Sequence, residues 1–352
     1  MSPRGDIATT ETARHASSLA NDATQATEAA GTLRAMARAV REGLAPGSKH
    51  LPAWLFYDQE GSRLFELITE LPEYYLTRAE RGIFAAHADA IVGAALENGL
   101  GTRGAERVLD VMELGAGTAT KSQILLEAGL SRLGRCLFAP VDVSGAALAI
   151  AVERLERELP ALTVRPIVGD HRAGCAELAN LSSRRFVLFI GSSMGNFDDA
   201  ENISLFRAVR AGLKPGDALL LGADRQNAPD ELIRAYDDAA GVTAAFNKNS
   251  LAHINRELGG EFDLDAFRHV ARWNAHHSRI EMHLESTCAQ RVRIGALDLT
   301  VQLESGETIH TESSVKYSNE RIGSILQGAQ LRLEQSFFDP EERFGVHLAR
   351  AV

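Results

Sequence analysis

The sequence lacks several features that would define particular classes of protein. Its three cysteines, Cys136, Cys175 and Cys288, lie far apart and form neither a CxxC pair nor a zinc-ligand spacing. We therefore expect free thiols, with neither a disulfide framework nor a metal site. No apolar run approaches the roughly 18 residues that a membrane-spanning helix needs, so no transmembrane segment is expected.

Positive charge is also in short supply. Lysine and arginine together number 37 against 47 acidic residues, which gives a formal net charge of -10, and only five of the 37 are lysines. This balance disfavours a nucleic-acid partner, because binding to phosphates needs a basic face that displaces counterions. It disfavours an anionic membrane surface for the same reason. We expect a monomer in the cytoplasm whose partner is a small molecule.

The distribution of apolar residues divides the chain into an arm and a folded part. Residues 1–30 are rich in Ala, Thr and Ser and poor in large apolar residues, which predicts a flexible arm. A transit peptide is the alternative interpretation, although four acidic residues in this segment count against it. After the arm, apolar residues recur at intervals of three and four up to about residue 99, which is typical of helices, with a break around Pro72.

The middle of the chain has a different pattern of apolar residues. Between residues 107 and 225, five short apolar strands alternate with helical stretches. Such alternation is typical of βαβ units, and it predicts a parallel sheet that is covered by helices on both faces. The fold class is therefore expected to be α/β.

In the last third of the chain the pattern of apolar residues changes again. The pattern predicts helices over residues 230–258 and 263–275, followed by an antiparallel hairpin or meander within residues 279–318. A tight turn is expected at Glu304–Glu307. The chain then ends with a helix and two strands, which we expect to join the edge of the parallel sheet.

A glycine turn follows the first strand of the middle segment. The strand ends in Glu113, and Gly115, Gly117 and Thr118 come directly after it, before a helix. Glycines permit positive φ and close approach of a ligand, and the helix N-terminus offers unpaired N–H groups. A dinucleotide is disfavoured because Thr120 stands where a GxGxxG motif has its third glycine. The sequence also contains no GxxxxGK[ST] phosphate-binding loop.

Acidic residues end the next two strands. Asp142 is placed to accept hydrogen bonds from both hydroxyls of a ribose, and Asp170, in the run Gly169–His171, to accept one from the exocyclic amine of adenine. An acid before GxG with acids after strands two and three resembles the pattern of Rossmann-like methyltransferases that bind S-adenosylmethionine.

The fourth strand leads into the sequence GSSMGNF, which contains Asn196. Ligands of doubly wound sheets bind outside the carboxyl ends of the strands, so Asn196 is expected to face the substrate beside the methyl donor. A turn residue before the next helix is the alternative interpretation. The motif differs from the [DN]PP[YFW] of enzymes that methylate nucleic-acid bases, which argues against a base as substrate.

Longer segments resemble one family, the histidine Nα-methyltransferases of ergothioneine biosynthesis and their relatives. The resemblance covers residues 31–352 and is carried by LPAWLFYDQEGSRLFELITELPEYYLTRAE, ELGAGTATK, FIGSSMGNF, AYDDAAGVTAAFN, RIEMHL and HTESSVKYS. It implies methyl transfer from S-adenosylmethionine to the α-amino nitrogen of L-histidine, three times in succession, to give hercynine. The wider family includes fungal enzymes that methylate a prenylated tryptophan, so a tryptophan derivative remains an alternative substrate. A non-catalytic module that binds the methyl donor is a further alternative.

The resemblance also implies roles for individual residues. The predicted catalytic residues are Tyr57, which assists release of the amine proton directly or through a water, and Asn196, which orients the amine. The predicted substrate-binding residues are Tyr74, Asn196, Tyr236, Met282, Glu312 and Ser314. The predicted S-adenosylmethionine-binding residues are Glu113, Gly115, Gly117, Thr118, Lys121, Asp142, Asp170 and His171.

Glu312 and Ser314 are chemically suited to an imidazole. Strand periodicity places His310, Glu312, Ser314 and Lys316 on one face. A neutral imidazole has one N–H donor, which Glu312 accepts, and one nitrogen acceptor, to which Ser314 donates. An indole has no acceptor nitrogen and would leave Ser314 unpaired, at a cost of about 1–3 kcal/mol. The pair therefore favours histidine over tryptophan.

The resemblance is not complete, and it implies an interleaved domain arrangement. Leu76 stands where the family often has proline, and Ser-Ser-Val follows Glu312 where family members often have Ile-Ser-Cys or Ile-Ser-Ala. We expect a substrate-binding α+β domain formed by residues 31–78 and 225–316. The Rossmann-like methyltransferase domain is expected to combine residues 79–224 with 317–352.

Overall fold

The structure is a computed structural model that describes residues 31–97 and 108–351. The predicted arm, residues 1–30, lies outside the described residues. The helices are, in chain order, 31–43 (α1), Gln59–Thr69 (α2), Tyr75–Leu96 (α3), Ser122–Leu133 (α4), Gly145–Glu158 (α5), His171–Glu177 (α6), Asp199–Gly212 (α7), Pro229–Tyr236 (α8), Val242–Leu258 (α9) and Asn319–Gly328 (α10). Within the described ranges, no helix is long and apolar enough to cross a membrane.

The strands form two larger sheets and one isolated hairpin. They are, in chain order, Lys49–His50 (β1), Leu109–Leu114 (β2), Cys136–Asp142 (β3), Leu162–Val164 (β4), Ile167–Val168 (β5), Arg184–Phe189 (β6), Ala218–Asp224 (β7), Phe267–Asn274 (β8), Arg279–Ser286 (β9), Gln290–Ile294 (β10), Leu299–Leu303 (β11), Thr308–Val315 (β12), Leu331–Phe338 (β13) and Phe344–Ala351 (β14).

The large sheet has eight strands in the order β13-β14-β7-β6-β2-β3-β4, with β5 beside β3. The pairs β7-β6, β6-β2 and β2-β3 are parallel, as the alternation of strands and helices predicts. Every residue of β2 and β7 is buried, as expected of central strands covered on both faces. The last two strands join the sheet at β7, where β14 runs antiparallel, which confirms their predicted place.

Three of the helices around this sheet, α5, α6 and α7, begin at side-chain caps that the sequence supplies. Ser144 accepts a hydrogen bond from the first turn of α5, and Asp170 does the same for α6. At α7, Asp198 and Glu201 form a reciprocal capping box. Each cap satisfies N–H groups that have no partner within the helix. These caps fix where each helix starts at the carboxyl edge of the sheet.

The second sheet has the order β1-β12-β9-β8, and β10 and β11 form a separate hairpin. One prediction about this region is wrong. Residues 267–274, predicted to lie in a helix, form β8, because pairing with β9 along its whole length overrides the local apolar spacing. The predicted turn at Glu304–Glu307 and the predicted antiparallel pairing within residues 279–318 are confirmed: β10 pairs with β11, and β9 pairs with β12.

A continuous apolar core joins the two sheets. One cluster of buried side chains includes Ile190 after β6, Tyr74 before α3, Tyr236 at the end of α8, and Met282 on β9. The loop after β6 also packs directly on β12: a Cβ on Gly195 would lie only 3.2 Å from Val315 O. The carboxyl edge of the parallel sheet therefore meets the pocket strand of the smaller sheet. The division into two interleaved domains remains a prediction.

Candidate active site

A cleft of about 2440 Å³ opens where the two sheets meet. The glycine turn after β2 and the acids after β3 and β5 line one side of it. Elements of the smaller sheet and the N-terminal helices line the other. All the predicted site residues line this cleft: Tyr57, Tyr74, Glu113, Gly115, Gly117, Thr118, Lys121, Asp142, Asp170, His171, Asn196, Tyr236, Met282, Glu312 and Ser314.

The turn after β2 has the backbone of a ligand cradle. Gly115 and Gly117 both adopt positive φ, +76° and +53°, a region that side chains with a Cβ rarely enter. A Cβ on Gly115 would lie 3.4 Å from Nε2 of His171, so the turn is also narrow. Thr118 Oγ1 donates to Glu66 Oε1 at 3.0 Å, which ties the turn to α2. The turn can therefore receive a ligand between the sheet edge and α2.

The hydrogen bonds of the Glu113 carboxyl group are incomplete among the described residues. It is buried at the end of β2, and within the described part of the chain its Oε2 atom has no hydrogen-bond partner. Burial raises the pKa of Glu113 to about 8, although Ser122 and Lys121 oppose the rise. A cationic ligand group beside Oε2 would supply the missing bond. This orphaned oxygen fits the amino group of S-adenosylmethionine.

The two acids after β3 and β5 keep acceptor capacity for a ligand. Asp142 accepts from Gly117 N through Oδ2 and from Ser144 N through Oδ1, both at 2.8 Å. Asp170 accepts from two backbone N–H groups of α6 through Oδ1 alone. An ionised carboxylate has about four acceptor positions, so both can still take bonds from ribose hydroxyls or an amine.

Three exposed apolar side chains beside these acids were missed by the sequence reasoning. Val143, Ile150 and Val168 are 48%, 57% and 51% exposed, and all three line the cleft. Exposed apolar residues grouped in a cleft suit a flat ring. The signal in the sequence was weak, because a valine next to a strand-ending acid is an ordinary continuation of a strand.

Lys121 lies in the cleft but is paired within the protein. Its Nζ atom is 2.6 Å from Oε2 of Glu80, a fully buried carboxylate on α3. The same carboxylate accepts from Gly191 N, at 2.9 Å through Oε1. Lys121 therefore neutralises Glu80, which in turn holds the loop that carries Asn196. Its predicted contact with the cofactor remains a prediction, and Glu80 is a residue that the sequence reasoning missed.

Asn196 and Glu312 come together although they are far apart in the sequence. Ser192 begins the turn before Asn196 with φ +59°, an uncommon conformation for a non-glycine residue. With its amide nitrogen turned toward the smaller sheet, Asn196 donates to Glu312 Oε1 at 3.2 Å and to Ser313 O at 3.1 Å. The amide oxygen of Asn196 is then left to accept a bond from a ligand amine.

Glu312 shares its side of β12 with Ser314 and lies opposite Met282 of β9. Burial raises the pKa of Glu312 to about 7, and Lys316 opposes that rise. His310 does not belong to this group, contrary to the prediction from period two. A β-bulge between His310 and Glu312 shifts the register, so His310 packs against His283 with ring centroids 5.1 Å apart.

Aromatic side chains form one wall of the substrate side. Tyr57 packs on Phe65 and Phe246, and Phe65 continues to Tyr74. Tyr74 lies 6.3 Å from the ring of Tyr236. Burial raises the pKa of Tyr57 well above its ordinary value, so this phenol stays neutral at physiological pH. Phe65 and Phe246 were not predicted, because their spacing is that of ordinary core residues of helices.

Tyr236, Ser314 and Lys316 form a buried polar group behind this wall. The Tyr236 hydroxyl lies 2.7 Å from Ser314 Oγ, and Lys316 Nζ donates to both oxygens. Lys316 also lies 2.7 Å from Asp224 Oδ2 at the end of β7. Sequence reasoning did not assign a role to Lys316, although the scarcity of lysine pointed toward it. Among the residues that the structure describes, no cluster of His, Cys, Asp and Glu is arranged to hold a metal.

The chain is similar to known proteins over most of its length. The family described as histidine-specific, SAM-dependent methyltransferases matches residues 36–351. The histidine N-alpha-methyltransferase of Mycolicibacterium smegmatis is 42% identical over 90% of this chain and 94% of that protein. That of Mycobacterium tuberculosis is 41% identical over 92% and 96%. Ergothioneine biosynthesis protein 1 of Neurospora crassa is 28% identical over 86% of this chain and 33% of its own length. The chain therefore belongs to the family of S-adenosylmethionine-dependent, histidine-specific methyltransferases.

Proposed function

We propose that this enzyme transfers methyl groups from S-adenosylmethionine to the α-amino nitrogen of L-histidine, and that three transfers give hercynine in ergothioneine biosynthesis. The observation that carries the choice of substrate is the placement of Glu312 and Ser314 in the cleft beside Asn196. We further propose that the enzyme acts as a cytoplasmic monomer on a free amino acid.

Recognition of the ring follows from the two side chains on β12. The carboxylate of Glu312 accepts the imidazole N–H, and Ser314 faces the other ring nitrogen. Met282, which lies opposite Glu312 in the sheet, packs against the ring, and Tyr74 closes the same side. An indole would leave one buried polar group unmatched, which costs about 1–3 kcal/mol and disfavours tryptophan by one or two orders of magnitude.

S-adenosylmethionine is held by the glycine turn and the acids around it. In this proposal Glu113 takes its amino group, Asp142 its ribose hydroxyls and Asp170 its adenine amine, while Gly115, Gly117, Thr118, Lys121 and His171 line the remaining contacts. When bound, it supplies an activated sulfonium methyl group. The protein's own task is then to align the amine with that methyl group and to keep the amine unprotonated.

Asn196 and Tyr57 carry out that task. Asn196 is fixed by its bonds to Glu312 and to Ser313 O, so that its amide oxygen can orient the α-amine. The pKa of Tyr57 is raised, so its hydroxyl stays protonated and does not take the amine proton itself. It accepts a hydrogen bond from the amine or anchors a water that passes the proton to solvent. Tyr236 is proposed to face the α-carboxylate. Each further methylation repeats the same proton release.

A mass-spectrometric assay tests the proposal directly. The protein is incubated with S-adenosylmethionine and each of the twenty amino acids, and with tryptophan derivatives in parallel. A gain of one, two and then three methyl groups on histidine alone is the expected result. Methylation of a tryptophan derivative in preference to histidine would favour the alternative substrate. Binding of S-adenosylmethionine without any methylated product would favour a non-catalytic binding module.

A further inference from the structure

Lys316 is completely buried, which is unfavourable for a lysine without a partner. It directly follows β12 and has no exposed surface, whereas Lys214, before β7, is exposed. An isolated ammonium group is very costly to remove from water, so a buried lysine has to be paired and hydrogen-bonded. The partners of Lys316 therefore indicate its role.

The partners of Lys316 belong to the candidate substrate site. Its ammonium donates to the hydroxyl of Tyr236 at 3.0 Å and to that of Ser314 at 2.9 Å. It lies 2.7 Å from Oδ2 of Asp224, whose other oxygen accepts from the hydroxyl of Tyr75. Asp224 compensates the charge, and the two hydroxyls are the groups that Lys316 orders.

The number of available protons limits how these hydroxyls can act. Lysine only donates, so both hydroxyl oxygens accept from it. Because the two oxygens lie 2.7 Å apart, one hydroxyl also donates to the other. Two hydroxyl protons are present and one lies between Tyr236 and Ser314, so a single proton remains for a ligand. Donation to both the α-carboxylate and the ring nitrogen of the substrate would require the bond between the two hydroxyls to break. Without Lys316, each hydroxyl could turn freely and offer either a proton or a lone pair.

We propose that Lys316 is a positioning residue for the amino-acid substrate. It fixes the orientation of the Tyr236 and Ser314 hydroxyls and leaves them one shared donor for the ligand. This inference rests on the proposed function, in which both hydroxyls face the substrate. Lys316 itself does not line the cleft, whereas Tyr236 and Ser314 do.

A matched pair of double variants tests the role. Asp224→Asn/Lys316→Met removes the ion pair and both donated bonds, whereas Asp224→Asn/Lys316→Gln removes the ion pair but keeps an amide that can donate twice. Asp224→Asn is present in both, so that no buried carboxylate is left unpaired. Lys214→Met, at the opposite edge of the sheet, is the matched control for loss of an exposed lysine.

The expected result is a split between the two ligands. KM for histidine should be about 30-fold or more higher in the Met variant than in the Gln variant, because two bonds from an ordered donor are lost. The dissociation constant of S-adenosylmethionine should stay within about twofold in both, which also shows that both fold. Lys214→Met should match the wild type.

Other outcomes would overturn the role of Lys316. Equal KM values for histidine in the two double variants would mean that the donated bonds do not position the substrate. Loss of S-adenosylmethionine binding in the Met variant alone would make Lys316 a determinant of the whole fold. Failure of the wild-type protein to methylate histidine would instead refute the proposed function, so the two failures are distinguishable.

Discussion

Replacing Glu312 by alanine should weaken the binding of histidine far more than that of S-adenosylmethionine. The carboxylate lies in the cleft, accepts from Asn196 at 3.2 Å and is proposed to accept the imidazole N–H. A hydrogen bond to a charged group contributes about 1.5–3 kcal/mol. Its loss corresponds to roughly a 10- to 150-fold increase in the dissociation constant of histidine.

Isothermal titration calorimetry measures both ligands on the same variant. The dissociation constant of S-adenosylmethionine should change by less than about threefold, because Glu113, Asp142 and Asp170 are untouched. Glu285→Ala, also on the smaller sheet, is the matched control, since its carboxylate pairs with Arg268 outside the cleft. Equal weakening of both ligands by Glu312→Ala, or unchanged histidine binding, would refute the placement of Glu312 against the ring.

The pH dependence of the same interaction follows from its environment. Because burial raises the pKa of Glu312 to about 7, the carboxylate is present above pH 7 and is lost as the pH falls below it. The advantage of the wild type over Glu312→Ala in histidine affinity should therefore be largest near pH 8 and should shrink toward pH 6. The ring of free histidine titrates in the same range, but equally for both proteins, so their ratio isolates Glu312.

Three further predictions concern Tyr57 and Glu113 in the cleft and the buried Glu80 on α3. Tyr57→Phe should lower kcat more at neutral pH than at high pH, where the substrate amine is already deprotonated, and an unchanged pH profile would refute a role in proton release. Glu113→Gln should weaken S-adenosylmethionine binding and should stabilise the ligand-free protein by an amount that grows as the pH rises toward 8. Burial raises the pKa of Glu113 to about 8, so its charged form destabilises the fold. Calorimetric melting measures this difference, and a variant less stable than the wild type at pH 8 would contradict the prediction. Glu80→Gln should lower the free energy of unfolding in urea by about 1–3 kcal/mol, because it removes the ion pair with Lys121 and weakens the hydrogen bond from Gly191 N. A change within about 0.5 kcal/mol would show that Glu80 does not hold the loop.

The larger sheet could be predicted because its signals are local. Strand β7 is a nearly continuous apolar run, and the helices α5 and α7 have their own side-chain caps and apolar spacing. The connection rules of parallel sheets then place Glu113, Asp142 and Asp170 at one edge. No information from distant parts of the chain was needed for this half of the site.

The smaller sheet was less predictable because its structure depends on pairing between distant segments. Residues 267–274 have apolar spacing compatible with a helix, but they complete a sheet only when β9 lies beside them. The bulge after His310 likewise depends on the partner strand, and it decides which side chains reach the cleft. Strand periodicity alone therefore grouped His310 with Glu312, whereas the fold separates them.

The sequence motifs alone did not show how the acids and lysines of the cleft are paired. Glu113 is buried and Glu312 is half-buried, one on each side of the cleft, and the pKa of both is raised. Within the described part of the chain, neither carboxyl group is paired with its own cation. The two nearby lysines are already committed: Lys121 to Glu80 and Lys316 to Asp224. Fixed acids without a dedicated cation favour ligands that bring N–H groups, as the amino group of S-adenosylmethionine and the imidazole of histidine do. Pairing the lysines elsewhere thus keeps each acid available for a different ligand in the same cleft.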